Sequence, residues 1–245
     1  MAKTEKGKPA KQKTARVKKS VGKKISARGG IPDPTNPERV AAILAKLDEA
    51  YPNAICELKH ENPFQLVIST ILSAQCTDVR VNQVTATLYK KYSDANAFAH
   101  ANPAKLEQEI RPTGFFRNKT KSVMGASKAI LEKFGGEVPR TMQEMLSLPG
   151  VARKTANVVL GTAYGIPSGV VVDTHVLRLT RRLELTKHTE PKKVEQDLMR
   201  ILPQDKWIQF SHQLIWHGRR VCVARSPRCI DCNLEPLCRS KDKTI

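Results

Sequence analysis

Leu148-Pro149-Gly150-Val151-Ala152-Arg153-Lys154-Thr155-Ala156-Asn157 joins one helical stretch to the next by a tight turn, and its reading decides the fold. Gly150 permits positive φ in that turn. Backbone amides of such a turn, at a helix N-terminus, point outward and can hold a phosphate without reading sequence. Gly150, Val151, Ala152 and Arg153 are the candidates for that contact. Lys154 falls in the first turn of the second helix, where a cation opposes the helix dipole. That placement favours a neutral amine, the form that attacks an electrophilic carbon and makes a Schiff base. The segment alone equally suits a phosphate-binding or plain surface lysine.

Outward from the hairpin the pattern is helical from residue 35 onward. Asn36-Pro37-Glu38 combines a cap, a first-turn proline and a dipole-matching acid, and Val40, Ile43, Leu44 and Leu47 follow at helical spacing. Asn62-Pro63 opens a helix to Ser73 that is apolar on nearly every side, as a buried central helix would be. Asp78 is read as the cap of a third, with Val81, Val84 and Leu88 inward. A short helix follows Asn102-Pro103, and a long one spans residues 118–134, stopped by Gly135-Gly136. Thr141 caps a helix ending at Leu148; the helix from Ala152 stops at Gly165. Asp173-Thr174, Glu190-Pro191 and Lys206 start the last three. Residues 169–172 are extended but too short to carry a sheet. The fold class is all-α.

Asp173 follows Val170-Val171-Val172 at a helix start. Locally it is an N-cap. A carboxylate near a reacting sugar also stabilises oxocarbenium-like charge or shuttles a proton, and one residue can do both. Cys222, Cys229, Cys232 and Cys238 form C-x6-C-x2-C-x5-C, a spacing suited to a four-coordinate metal or a cubane cluster. Only one short C-x2-C pair is present, which favours iron–sulfur over zinc without excluding zinc. Arg225 and Arg228, with Arg219, Arg220 and Arg239 nearby, stud this loop and make it a candidate phosphate-binding surface. Cys56 and Cys76 sit in apolar helical contexts and read as core residues.

Lys and Arg number 42 against 23 acids, a net charge of +19. Such an excess predicts attraction to a polyanion through counterion release. Residues 1–30 hold nine Lys, two Arg and one acid, Glu5, for a net +10. Few large apolar residues occur there, so this stretch reads as a disordered basic arm. No secretory signal and no apolar run of bilayer-spanning length is present. An intracellular, cytoplasmic protein is expected, at the nucleoid if bacterial, with its cysteines reduced.

Four motifs in order, LSAQCTD (Leu72 to Asp78), LPGVARKTAN, VDTH (Val172 to His175) and the cysteine spacing, resemble the endonuclease III family of DNA glycosylases over residues 35–240. The resemblance implies two all-α domains with a DNA-binding cleft between them. Residues 56–167 would form a six-helix barrel with the helix–hairpin–helix. Residues 31–55 and 168–245 would form a second domain with a [4Fe–4S] cluster on the four cysteines. It implies Lys154 as nucleophile, Asp173 as catalytic carboxylate, Gln75 as the residue that fills the space left by a flipped nucleotide, Phe115 as the wedge into the opposite strand and His175 as lining of the base pocket.

The implied activity is that of a bifunctional glycosylase and abasic-site lyase. It would excise oxidised pyrimidines from double-stranded DNA and cleave abasic sites by β-elimination, acting as a monomer. Many family members have a second glycine where this chain has Ala152, which would cost about 1 kcal/mol if that position needs positive φ. Two alternatives are an adenine-mismatch-type monofunctional glycosylase and a non-catalytic DNA-binding protein. The first lacks the lysine and carries a catalytic Glu in a helix that here reads Val67-Ile68-Ser69-Thr70-Ile71-Leu72; the Lys154/Asp173 pair argues against the second.

Deleting residues 1–30 is expected to flatten the fall of DNA affinity with salt, since each phosphate neutralised adds roughly −0.9 to the log–log slope. A titration series in KCl checks this, and an unchanged slope would show that the arm makes no phosphate contacts.

Overall fold

Side-chain caps mark where most helices begin. The computed structural model describes residues 1–2 and 33–244, so residues 3–30 of the basic arm lie outside the described residues. Asn36 accepts from the Glu38 amide to open α1 (Pro37–Ala50). Asn62 does the same from Gln65 for α2 (Pro63–Leu72). The cap of α3 (Asp78–Lys91) is Thr77, whose hydroxyl accepts from the Arg80 amide. Asp78 is thus already helical, and its carboxylate is free for a distant arginine. A five-residue helix that the sequence pattern did not mark, α4 (Ala95–Ala99), is capped by Asp94 and buries only Ala95 and Phe98. Two apolar positions are too few to show a period.

Asn102 caps α5 (Pro103–Ile110), and a 3-10 turn, Arg111–Thr113, follows directly. The next helix, α6 (Phe116–Phe134), begins two residues earlier than its apolar period suggests, after a left-handed Phe115. Thr141 caps α7 (Met142–Leu146), which stops short of Leu148. The hairpin then leads into α8 (Arg153–Tyr164). Beyond it come α9 (Thr174–Arg182), α10 (Pro191–Ile201) and α11 (Trp207–Arg220). No strand occurs among the described residues, residues 169–172 included. No described helix is long and apolar enough to cross a membrane.

Asp33–Ile245 hold together as one compact unit containing two hydrophobic cores. The first gathers buried residues of α2 to α8. It is built round α2, in which every residue from Phe64 to Leu72 is buried. The second joins Val40, Ile43, Leu44 and Leu47 of α1 to Val170, Val172 and the inner faces of α9, α10 and α11. Each fully buried Leu or Ile in these cores contributes roughly 1.5–3 kcal/mol relative to exposure.

Two glycines lie where a side chain would meet close neighbours. At Gly150 φ is +77°, and an added Cβ would lie 2.5 Å from Ser122 Cβ. The hairpin therefore needs both the left-handed backbone and the absence of a side chain against α6. At Gly169 a Cβ would lie 2.1 Å from Glu195 Oε1, so a side chain there would displace the Glu195 carboxylate from its present place.

Gly150→Ala should lose stability beyond the ~1–2 kcal/mol of left-handed strain, because steric overlap adds to it. Pairing it with Ser122→Gly should recover the overlap and leave the backbone part. Urea denaturation measures both; equal stability of the single variant and the parent would contradict the packing described.

Candidate active site

Between the two cores opens a cavity of about 70 Å³, continuous with solvent, whose lining includes both Lys154 and Asp173. They come from different helix starts. Lys154 lies in the first turn of α8, is exposed, and makes no hydrogen bond or ion pair with another described residue. Asp173 caps α9: its Oδ1 accepts from the amides of His175 and Val176, each at 2.8 Å. Neither bond uses Oδ2. The cap fixes the carboxylate's direction while leaving one oxygen to the cavity, so the structural and chemical readings of Asp173 are compatible.

The rest of the lining was not legible in the sequence. Thr70 and Ser73 come from the end of α2, Ile55 to Leu58 from the loop before it, and His212, Ile215, Trp216 and Arg219 from α11. Arg219 is the hub of the charged wall. It bonds Glu57 and, at 2.8 Å, Asp78. Arg220 adds a bond to Glu57 at 3.3 Å and stacks its guanidinium 3.8 Å from the Trp216 ring centre. Trp216 Nε1 in turn donates to Ile55 O at 3.1 Å. An apolar wall with a few fixed polar groups is the usual make-up of a small-ligand pocket. His212 is half-buried beside Thr162, its Nε2 3.4 Å from the hydroxyl, and desolvation lowers its pKa. Burial also pushes the Cys56 thiol up to about 11.

Around the hairpin, the structure redistributes the expected phosphate contacts. Val151 is buried and its amide donates to Leu148 O at 3.1 Å, so it is used inside the turn. Ala152 is extended, with φ −93° and ψ 171°, and incurs no left-handed penalty. No side chain caps α8, which leaves its first amides without an internal side-chain acceptor. The Arg153 side chain turns inward to Glu195 at 2.7 Å. Gln75 and Phe115 are both exposed, and both have left-handed backbone, φ 54° and 47°. Phe115 is 61 % exposed while its neighbour Phe116 packs on the first core, so of the adjacent pair one faces out and one faces in. His175 is absent from the cavity lining. Its ring lies against Gly218, with Nδ1 3.2 Å from Arg178 Nη2, and burial lowers its pKa.

Cys222, Cys229, Cys232 and Cys238 together line one pocket at the end of α11. Arg182 Nη1 donates to Cys222 Sγ at 3.2 Å, and His217 Nε2 lies 3.4 Å from Cys232 Sγ. Among the described residues no three Cys, His, Asp or Glu side chains converge as ligands of a single ion. Four thiols round one pocket are a donor set that suits a four-coordinate metal or a multi-atom cluster. Burial pushes the Cys232 thiol up to about 11 and raises Cys238, protons that a bound metal centre displaces. Arg225 is exposed on this loop, and Arg228 is exposed with one guanidinium nitrogen bonded to Arg220 O. Arg219 lines the cavity instead, and Arg220 lies on Glu57 and Trp216.

A lysine at a hairpin helix start, sharing a cleft with a capping aspartate, belongs to base-excision repair proteins of the helix–hairpin–helix class. Residues 68–204 match the model of the HhH-GPD superfamily base excision DNA repair protein. Endonuclease III of Synechocystis sp. is 55% identical over 203 residues, which cover 83% of this chain and 93% of that protein. A solved non-covalent endonuclease III–DNA complex superposes with a TM-score of 0.79 at 42% identity, covering 83% of this chain and 95% of that one. A trapped covalent endonuclease III–DNA intermediate matches with the same values. The chain belongs to the endonuclease III family.

His212, with a folded pKa below its unfolded 6.5, stabilises the fold above pH 6.5 and loses that contribution as pH falls through the lower folded value. His212→Gln should therefore show a shallower fall of stability below pH 6.5. Denaturation midpoints from pH 8 to 5 test this, and parallel curves would refute it.

Proposed function

We propose that this bifunctional glycosylase and abasic-site lyase acts on oxidised pyrimidines in duplex DNA, with Lys154 as nucleophile and Asp173 as its partner. The observation that carries the reading is the shared cavity: an uncommitted amine and an oriented carboxylate meet there although they start different helices. The basic surface collects DNA through its phosphates. A damaged nucleotide, weakly stacked, swings out of the duplex into the cavity. Gln75 occupies the vacated stack and Phe115 separates the opposite strand. The uncapped amides of α8, with Gly150 at the turn, hold a backbone phosphate.

The Nζ of Lys154 forms a bond to C1′ as the glycosidic bond breaks and its electrons leave with the base. Asp173 balances the positive charge that develops at C1′ and takes the proton that frees the amine. The proton held by Asp173 passes to O4′ as the C1′–O4′ bond opens, and the nitrogen lone pair forms the iminium, which acidifies the 2′ hydrogen. Its loss expels the 3′ phosphate, which breaks the strand and leaves the sugar on Lys154 until water releases it.

Cys222, Cys229, Cys232 and Cys238 would hold a [4Fe–4S] cluster, which supplies rigidity to the loop bearing Arg225 and Arg228. The two cores support a division into one domain of residues 56–167 and another of 31–55 with 168–245. The substrate partner is double-stranded DNA with a damaged base or abasic site, engaged by one copy of the chain.

Lys154→Ala should abolish strand cleavage and borohydride trapping on abasic duplex, a loss of at least about 10⁴-fold, while DNA binding stays within about threefold. A cleaving, trappable Lys154→Ala protein would show that another group is the nucleophile.

A further inference from the structure

Lys119 is 4 % exposed, deep in the first core, and faces no carboxylate. Its Nζ donates to two backbone carbonyls, Leu72 O and Thr113 O, each at 2.7 Å. A buried ammonium without an anion is costly, and burial lowers this one's pKa. An apolar residue would fill an inward position of α6 at less cost. The two acceptors explain the choice. Leu72 is the last residue of α2, and Thr113 ends the 3-10 turn; their carbonyls face the interior where a helix ladder has stopped. Charge-assisted bonds to both satisfy acceptors that would otherwise be stranded.

Beyond each carbonyl the chain runs straight into a left-handed residue. Leu72 leads within three residues to Gln75, and Thr113 within two to Phe115. These are two of the four non-glycine residues with positive φ among the described residues. Such backbone costs on the order of 1 kcal/mol or more and persists only where neighbours over-determine it. Lys119 also acts on the second loop through its own amide, which donates to Phe115 O at 3.0 Å. One residue thus binds the root of the Gln75 loop, the root of the Phe115 loop and the Phe115 carbonyl.

We infer that Lys119 is a positioning residue that holds the Gln75 and Phe115 loops at one fixed spacing, so that plug and wedge enter the duplex together. This rests on the roles read for Gln75 and Phe115 above. It makes the two insertions a single preorganised unit rather than two independent contacts.

The test is a mutant cycle in single-turnover excision of an oxidised pyrimidine from duplex DNA. Gln75→Ala and Phe115→Ala should each slow the parent enzyme, and Lys119→Met should slow it about tenfold. Adding either alanine to Lys119→Met should cost less than about twofold more, because misplaced side chains have nothing left to lose. Borohydride trapping on a single-stranded abasic oligonucleotide, with no opposite strand to wedge, should stay within about twofold in Lys119→Met. Alanine effects that multiply undiminished in the Lys119→Met background would overturn the inference. Alanine variants as fast as the parent would remove the roles of Gln75 and Phe115, and the inference with them. Lys119→Gln, which keeps a donor but falls short of both carbonyls, carries the same comparison should the methionine variant fail to fold.

Discussion

The carboxylate of Glu195 joins the two halves of the site. It is 5 % exposed, and both oxygens are taken by the helix that carries Lys154: Oε2 by Arg153 Nε and Oε1 by Asn157 Nδ2, each at 2.7 Å. Asn157 Oδ1 accepts in turn from Ser168 Oγ at 2.9 Å. Glu195 belongs to α10 in the second core and Asn157 to α8 in the first. A buried carboxylate is tolerated only when its oxygens are matched, so α8 has little freedom to slide along α10. The position of Lys154 against the Asp173 side of the cavity follows from that restriction. The bare backbone of Gly169, pressed against the same carboxylate, sets how closely the chain can pass between the cores.

Charge in this protein divides into two uses. The net +19 acts at long range and without geometry, drawing in a polyanion. Several individual cations are instead consumed inside: Arg153 on Glu195, Arg219 on Glu57 and Asp78, Arg182 on Cys222 and Asp242, Lys119 on two carbonyls. These fix elements relative to one another. Lys154, exposed and without such a partner, stands apart from them.

Helix starts in this protein divide into capped and uncapped ones. Behind the site, α2, α3 and α5 start on Asn or Thr caps. The two helices that follow Phe115 and carry Lys154, α6 and α8, start without a capping side chain, as do α10 and α11, and α6 starts from a left-handed phenylalanine. Stability given up at the starts of α6 and α8 is compatible with amides and an aromatic ring that are left for a ligand. Asp173 combines both features, capping α9 through Oδ1 while Oδ2 takes no part in the cap.

The sequence by itself determined most of the helix order, the hairpin with its obligatory Gly150, the capping place of Asp173 and the grouping of the four cysteines. Each depends on residues close together in the chain, through apolar period, cap chemistry or ligand spacing. It left α4 unmarked and took Asp78 for a cap, because five residues show no period and two adjacent cap candidates look alike. Only the tertiary structure decided that Arg153 faces Glu195, that the Val151 amide is used on Leu148, that His175 packs on Gly218, and that Arg219, Trp216 and His212 wall the cavity. A buried charge goes where its counterpart lies and a cavity exists only between packed elements. Both are set by contacts between residues far apart in sequence, which no local spacing encodes.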